Sequence, residues 1–124
     1  MNTESPHGPM ISSGDVEGTD VYSTASREKI GDIRRLMIDK RSGRIGYAVM
    51  SFGGFLGIGE KEYPVPWQAL KYDGDLEGYV TGITESQLEN APGESDQAWK
   101  DRDWETQLHD NYAAPYYWEP MPRI

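Results

Sequence analysis

The chain of 124 residues contains no cysteine and only two histidines. The lack of cysteine excludes disulfides, thiolate metal ligands and a cysteine nucleophile. His7 and His109 lie near opposite ends of the sequence, where we expect burial and an orienting carboxylate to be hard to arrange. Since a nucleophile, a base and an orienting group must converge for triad chemistry, we predict no catalytic site. We likewise predict no metal site and no cofactor.

Long hydrophobic runs are also missing. A membrane-spanning helix needs about 20 predominantly apolar residues, and the longest apolar stretch here, from Tyr47 to Ile58, is interrupted by glycines. The N-terminus has no basic region followed by an apolar run, which a signal peptide would require. We therefore expect a cytoplasmic protein without a transmembrane segment.

Basic residues are scarce overall but concentrated in one region. Twelve basic residues stand against 21 acidic ones, and the net charge of −9 disfavours nucleic acid as a partner. Residues 27–44 reverse this balance, with seven basic and three acidic side chains. We interpret them as the solvated face of a hairpin, with an anion-binding patch as the alternative. The candidate patch consists of Arg34, Arg35, Lys40, Arg41 and Arg44.

Composition divides the chain into three parts. Residues 1–14 are rich in proline, glycine and small polar residues, and we predict a flexible N-terminal arm. Residues 15–92 contain short β-prone runs separated by turn signals, which is typical of a small β-barrel. Residues 93–124 form a helical tail rich in proline and aromatic residues. Because a folded unit of about 60 to 80 residues buries little apolar surface, we expect it to gain stability from a partner copy.

Three segments of the middle part carry specific signals. The run from Arg44 to Phe52 is apolar on both faces, which predicts a strand covered on both sides. Pro64 and Pro66 lack backbone N–H groups, so the segment around them can pair along only one edge. Thr84 and Gln87 have the spacing of a capping box, which predicts a short helix that continues to about Asn90.

The C-terminal part carries many apolar side chains for a segment too short to build its own core. Trp104, Leu108 and Tyr112 recur at helical spacing, which predicts one amphipathic helix from about Ser95 to Asn111. This helix can pack on its own barrel or on a second copy, or it can serve as a docking surface for another protein. The candidate interaction surface consists of Trp99, Trp104, Leu108, Tyr112, Tyr116, Tyr117 and Trp118.

Residues from about Val16 to Pro92 resemble the PRC-barrel domain family. The resemblance depends mainly on a glycine-rich loop followed by a Pro-x-Pro-Trp element. The motif residues, which we expect to be structural, are Gly53, Gly54, Phe55, Gly57, Gly59, Pro64, Pro66 and Trp67. Relatives in this family include the cytoplasmic part of the photosynthetic reaction centre H subunit and the C-terminal domain of a ribosome maturation factor.

The resemblance implies a mainly β fold, namely a small, partly open antiparallel meander barrel of five or six strands that commonly self-associates. It implies an interaction or assembly module rather than an enzyme. Our leading hypothesis is therefore a non-enzymatic homo-oligomeric module whose partner is itself, another protein, or both. One alternative is an accessory role in a membrane electron-transfer or photosynthetic complex. The other is RNA or ribosome binding through the basic hairpin at residues 27–44.

Overall fold

A computed structural model of the chain describes residues 9–52, 62–92 and 98–119. Within these ranges six strands form one curled, half-barrel sheet, which confirms the predicted mainly β fold. The strands are β1 (Asp20–Ser23), β2 (Lys29–Ile38), β3 (Ile45–Ser51), β4 (Glu62–Pro66), β5 (Leu70–Asp73) and β6 (Gly78–Thr81). The glycine-rich loop with Gly53, Gly54, Phe55, Gly57 and Gly59 lies outside the described residues.

The strands follow the order β4-β3-β2-β1-β6-β5 across the sheet. Strands β1 to β4 form an antiparallel meander, and β5 pairs antiparallel with β6. The remaining pair, β1 with β6, is parallel, so the expectation of a purely antiparallel meander is wrong at this one junction. A short 3-10 turn, Trp67–Ala69, connects β4 to β5, and these two strands form the opposite edges of the curled sheet.

The β2–β3 hairpin carries the basic region. The pairing register of β2 shifts between Ile33 and Arg35 and again between Met37 and Ile38, which marks bulges in this strand. Gly43 adopts a φ of 76° in the connecting loop, a conformation that is accessible to glycine at little cost. The end of β2 therefore bends, and Ile38 is left exposed at the tip of the sheet.

Strand β3 is covered on both sides, as its composition predicts, because every residue from Gly46 to Ser51 is buried. Its neighbour β4 lies at the edge of the sheet and, among the strands of the described ranges, pairs with β3 alone. Pro64 and Pro66 stand opposite Val49 and Tyr47 in this ladder. Since neither proline can donate a hydrogen bond, the outer edge of β4 is a poor template for a further strand.

Three helices complete the described structure: α1 (Ser13–Val16), α2 (Glu85–Asn90) and α3 (Arg102–Asn111). The capping box predicted at Thr84 and Gln87 is present at the start of α2. The short α1 begins inside the segment predicted as a flexible arm. None of the helices in the described ranges combines the length and the apolar composition that a bilayer crossing demands.

Helix α3 begins later than predicted, at Arg102 instead of Ser95. Asp101 has an extended backbone, and its side chain accepts a hydrogen bond from the N–H of Asp103, so it caps the helix at this point. A 3-10 turn, Ala98–Lys100, precedes it. The helix ends at Asn111 as predicted, and Ala113, with a φ of 53°, turns the chain back toward the barrel.

Candidate interaction face

The C-terminal part packs on its own barrel. Leu108 and Tyr112 of this part are buried in the same core as Val21, Ile33 and Val65 of the strands. This arrangement selects one of the possibilities left open by the sequence, because the barrel itself covers the apolar side of α3. Leu108 and Tyr112 therefore contribute to the core and not to a surface open to partners.

Seven rings form an aromatic cluster between β3 and the C-terminal residues. Tyr47 lies at its centre, with ring centroids 5.3 Å from Trp99, 5.3 Å from His109 and 5.5 Å from Tyr117. These three contacts are edge-to-face, the geometry that the ring quadrupoles favour. The aromatic cluster consists of Tyr47, Trp99, Trp104, His109, Tyr116, Tyr117 and Trp118.

A buried carboxylate joins the two sides of the cluster. Glu105 of α3 is only 7% exposed, and its Oε1 accepts hydrogen bonds from the hydroxyl of Tyr47 at 2.7 Å and of Tyr117 at 2.6 Å. Its Oε2 lies 3.6 Å from Nη1 of Arg102. A carboxylate in apolar surroundings is costly unless it is paired, and these contacts provide the pairing. Glu105 therefore fixes the C-terminal residues to β3.

The two phenols that serve Glu105 remain protonated at physiological pH. Burial, reinforced by the hydrogen bond to the Glu105 carboxylate, raises the pKa of Tyr47 far above its ordinary value. The same causes raise the pKa of Tyr117 to about 12. Both hydroxyls are therefore permanent donors near neutral pH, and the arrangement around Glu105 does not change there through tyrosine ionisation.

His109 lies beneath the C-terminal residues and is only 1% exposed. Its Nδ1 is 2.7 Å from the backbone carbonyl oxygen of Glu105, and since a carbonyl can only accept, Nδ1 carries the proton. Its Nε2 is buried and has no hydrogen-bond partner among the described residues. Burial lowers the pKa of His109. The expectation that burial of this histidine is hard to arrange is wrong, because the returning chain covers it.

The residues after α3 form a short C-terminal segment, residues 113–119, that closes over His109. Nη1 of Arg44 donates to the backbone carbonyls of Tyr117 at 2.9 Å and Glu119 at 3.1 Å. The hydroxyl of Tyr116 donates to Asp110 at 2.7 Å. A Cβ atom on Gly46 would lie 3.0 Å from the Tyr117 ring, so the absence of a side chain on Gly46 makes room for this ring.

The guanidinium of Arg102 covers two rings of the C-terminal segment. Its guanidinium carbon lies 4.0 Å from the ring centroid of Trp118 and 5.7 Å from that of Tyr117. Trp118 is stacked on Tyr116 with centroids 4.8 Å apart. A cation above aromatic faces is attracted by their electron density, so Arg102 contributes to holding the segment closed.

A pocket of about 180 Å³ opens beside the cluster, at the end of the β2–β3 hairpin. We call it the hairpin pocket. Its lining residues are Met37, Ile38, Asp39, Lys40, Gly46, Tyr47, Trp99, Glu105 and Tyr117. Ile38 at its margin is 54% exposed. The hairpin pocket thus combines an apolar margin with a floor that is fixed by hydrogen bonds.

The structure divides the predicted anion patch. Arg34 pairs with Asp32 at 2.9 Å, and Arg35 pairs with Glu62 at 3.2 Å. Arg44 is engaged with the C-terminal segment, as described above. Lys40 and Arg41 lie exposed in the hairpin loop, next to the hairpin pocket. The five cations therefore do not form one continuous anion site.

The remaining candidates from the sequence have structural positions. Pro64 and Pro66 lie in β4, and Trp67 begins the following turn with its ring 5.3 Å from that of Tyr79. His7 is outside the described residues. Across ranges 9–52, 62–92 and 98–119, no three histidine or acidic side chains are grouped so as to hold a metal ion.

The sequence did not single out Glu105 or His109 as parts of the site. Both lie on the helix face that also carries Leu108 and Tyr112. Their spacing from these two residues could have indicated that Glu105 and His109 are buried as well. A glutamate on a face that is otherwise apolar indicates a buried acceptor. In a chain with 21 acidic residues, this one could not be recognised by composition.

Comparison with protein families gives one result that bears on the fold. The family model for the PRC-barrel domain matches residues 9–87, which is more than half of the chain. No curated protein matches the sequence. The matched range includes Tyr47 and the hairpin pocket margin but ends before α3. The aromatic cluster is therefore built partly by matched residues and partly by residues beyond them.

Proposed function

Because the chain belongs to the PRC-barrel domain family, we propose that it is a non-enzymatic protein-interaction module that assembles with further copies of itself. One observation carries this proposal. The exposed Ile38, the half-buried Trp99 and the cation Lys40 line the hairpin pocket, and the exposed Arg41 follows Lys40 in the hairpin loop. We call these four residues and the pocket the docking face.

The docking face is organised before a partner arrives. Its floor contains Tyr47 and Tyr117, and both are held by hydrogen bonds to Glu105. Asp39 at its margin accepts hydrogen bonds from the backbone N–H and the hydroxyl of Ser42, so the hairpin turn is also fixed. A preformed surface loses little conformational freedom on binding, which favours affinity.

Charge supports a second copy as the occupant. Residues 27–44 carry seven basic and three acidic side chains, whereas the rest of the chain carries five basic and eighteen acidic ones. Lys40 and Arg41, the two of these basic residues that belong to the docking face, are thus complementary in charge to most of the surface of another copy. The exposed Met10 and Ile11, followed by the exposed acids Asp15 and Glu17, present both features that the docking face requires. We assign this N-terminal stretch of a second copy as the occupant.

The outer edge of β4 is a poorer candidate for assembly than the docking face. Pro64 and Pro66 deprive β4 of two donors along its outer edge, so a second chain cannot extend the sheet there with a regular ladder. Assembly through side chains at the docking face avoids this obstacle. The proposed contact therefore depends on apolar burial and charge rather than on backbone pairing.

The test is light scattering across a concentration series of the full chain, with the variants Ile38→Glu and Tyr72→Glu. Tyr72 is the matched control, because it is an exposed apolar residue in β5, at the other end of the sheet, with 43% exposure. We expect Ile38→Glu to raise the dissociation constant at least tenfold, which corresponds to about 1.4 kcal/mol. Tyr72→Glu should leave it unchanged, and added salt should weaken the wild-type assembly.

Two results contradict the proposal. One is a wild-type chain that stays monomeric at every concentration. The other is an assembly that Ile38→Glu leaves intact or that Tyr72→Glu disrupts to the same degree, because the contact would then lie elsewhere. Ile11→Ser extends the test to the assigned occupant and should weaken assembly in the same direction as Ile38→Glu.

The two alternative functions stay predictions. Lys40 and Arg41 favour RNA or ribosome binding, but three of the five candidate cations already have partners within the chain. If RNA binds at this loop, its affinity should fall steeply with salt and should decrease in a Lys40→Ala, Arg41→Ala variant. An accessory role in a membrane electron-transfer or photosynthetic complex rests on the family resemblance alone. Recovery of such a complex from native cells is its test.

A further inference from the structure

We propose that His109 is an acid-sensitive latch for the C-terminal segment. While the imidazole is neutral, residues 113–119 close over it, and a proton on Nε2 opens them. The latch concerns how the segment meets its own barrel, so it can be tested on the isolated monomer.

The geometry around Nε2 makes the closed state intolerant of a second proton. The His109 ring lies 5.3 Å from Tyr47 of β3 and 5.6, 5.9 and 5.2 Å from Tyr116, Tyr117 and Trp118 of the segment. No described residue accepts a hydrogen bond from Nε2. A protonated Nε2 would be a buried donor without a partner, and opening the segment gives it water.

The charged and titratable groups near the ring act in both directions. Arg102 of α3 opposes protonation, and burial, the largest cause, does the same. The backbone carbonyl of Glu105 and the carboxylates of Glu105 and Asp110 favour protonation. On β3 and the segment, the facing groups are the neutral phenols of Tyr47, Tyr116 and Tyr117, and Arg44 contacts the segment from its other side. The net result is a lowered pKa for His109 in the closed state.

The sign of the pH dependence follows from this shift. The open state has an ordinary histidine pKa of about 6.5, and the closed state has a lower one. The open state therefore binds the proton more tightly. Closure is complete above pH about 6.5 and is lost as pH falls through the lower pKa of the closed state. Ordinary carboxylates titrate near pH 4, so the histidine step is separable from theirs.

The segment has enough other contacts to remain closed at neutral pH. Arg44 holds the carbonyls of Tyr117 and Glu119, and the Tyr117 hydroxyl is bonded to Glu105. The donors in these bonds do not change near pH 6, because burial raises the pKa of the Tyr117 phenol to about 12 and a guanidinium is always protonated in proteins. Among the groups named here, only the charge of His109 is therefore expected to change near pH 6.

Opening of the segment should also weaken self-association, an expectation that rests on the proposed function. Tyr117 lines the hairpin pocket, so release of the segment removes one wall of the docking face. Mild acid should then weaken self-association as well as open the segment. A failed latch leaves the neutral-pH effect of Ile38→Glu untouched, so the two proposals fail separately.

The test is proton NMR of the dilute monomer between pH 7.5 and 5. The chain has only two histidines, so each imidazole signal can be assigned with one variant. The contact between the Tyr117 ring and the Cα protons of Gly46 reports closure directly. We expect His109 to titrate below 6.5 and the Tyr117–Gly46 contact to weaken at least tenfold over the same pH range.

The variants His109→Phe and His7→Gln are compared with the wild type. His109→Phe keeps a ring in the cluster but cannot gain a charge, so the segment should stay closed at pH 5. His7→Gln is the matched control and should open as the wild type does. If His109→Phe has already lost the Tyr117–Gly46 contact at pH 7.5, His109→Gln replaces it, since its amide can still donate to the Glu105 carbonyl.

Three results overturn the latch. His109 titrates at or above 6.5, or the Tyr117–Gly46 contact persists at a pH well below the His109 midpoint. In the third, the uncharged His109 variants open at the same pH as the wild type. The first two results would show that the closed segment tolerates the imidazolium, and the third would show that another group causes the opening.

Discussion

The barrel and the C-terminal segment are held together by different kinds of interaction. In the barrel, aliphatic side chains such as Val21, Ile33 and Val65 pack between strands joined by backbone hydrogen bonds. Where the segment meets α3, aromatic rings surround the buried carboxylate of Glu105 and the buried imidazole of His109. Apolar burial is not directional and does not depend on ionisation, whereas the second arrangement requires particular protonation states.

The barrel and the segment should therefore differ in how their stability depends on pH. The barrel should be insensitive to pH near neutrality, because its core groups do not titrate there. The segment depends on a neutral His109 and on the hydrogen bonds that Glu105 accepts, and its Tyr117 lines the docking face that we propose for assembly. Substitutions in the two regions should therefore differ in size and in the property that they change.

The largest effect is expected from Gly31→Ala in the barrel. A Cβ atom on Gly31 would collide with the backbone carbonyl oxygen of Ser51, so β2 and β3 would have to move apart. We expect a loss of about 5 kcal/mol in the free energy of unfolding, measured by urea denaturation, because a clash between two backbones is not relieved by a rotamer change. Gly82→Ala is the control, because nothing lies within 4 Å of its added Cβ and it should be nearly neutral. Equal effects of the two substitutions would contradict the close strand approach.

Leu108→Ala probes the junction between the two regions. Leu108 is fully buried where α3 meets the barrel core, and truncation leaves a cavity. We expect a loss of roughly 2 to 5 kcal/mol in unfolding free energy. Gln107→Ala on the exposed side of the same helix should cost little. A small effect of Leu108→Ala would mean that α3 contributes little to the barrel core.

Tyr47→Phe acts on the segment and should have the smallest effect of the three. It removes one of the two hydroxyls that donate to Glu105 and keeps the ring in place. We expect a loss of about 1 to 3 kcal/mol, since a buried carboxylate oxygen loses a donor. Tyr72→Phe, at an exposed position, should have no effect. A neutral Tyr47→Phe would show that Glu105 does not depend on this bond.

Local sequence patterns were sufficient for much of the barrel. The capping box of Thr84 and Gln87 and the one-edged pairing around Pro64 and Pro66 were both predictable. Each depends on the chemistry of one or a few neighbouring residues. The family resemblance then implied the meander order that holds for β1 to β4.

Long-range contacts were not predictable in the same way. Tyr47 and Glu105 are separated by 58 positions, and nothing local marks them as partners. The parallel pairing of β1 with β6 also joins distant segments. The late start of α3 depends on Asp101, whose capping bond competes with continuation of the helix toward Ser95.

The most direct test of this account is whether the segment closes on its own barrel. A mixture of isotope-labelled and unlabelled chains distinguishes contacts within a chain from contacts between chains. The account predicts that the contact between the Tyr117 ring and Gly46 appears only within a chain, at every protein concentration. If that contact appears between labelled and unlabelled chains, the segment is exchanged between copies and the docking face is not built by one chain.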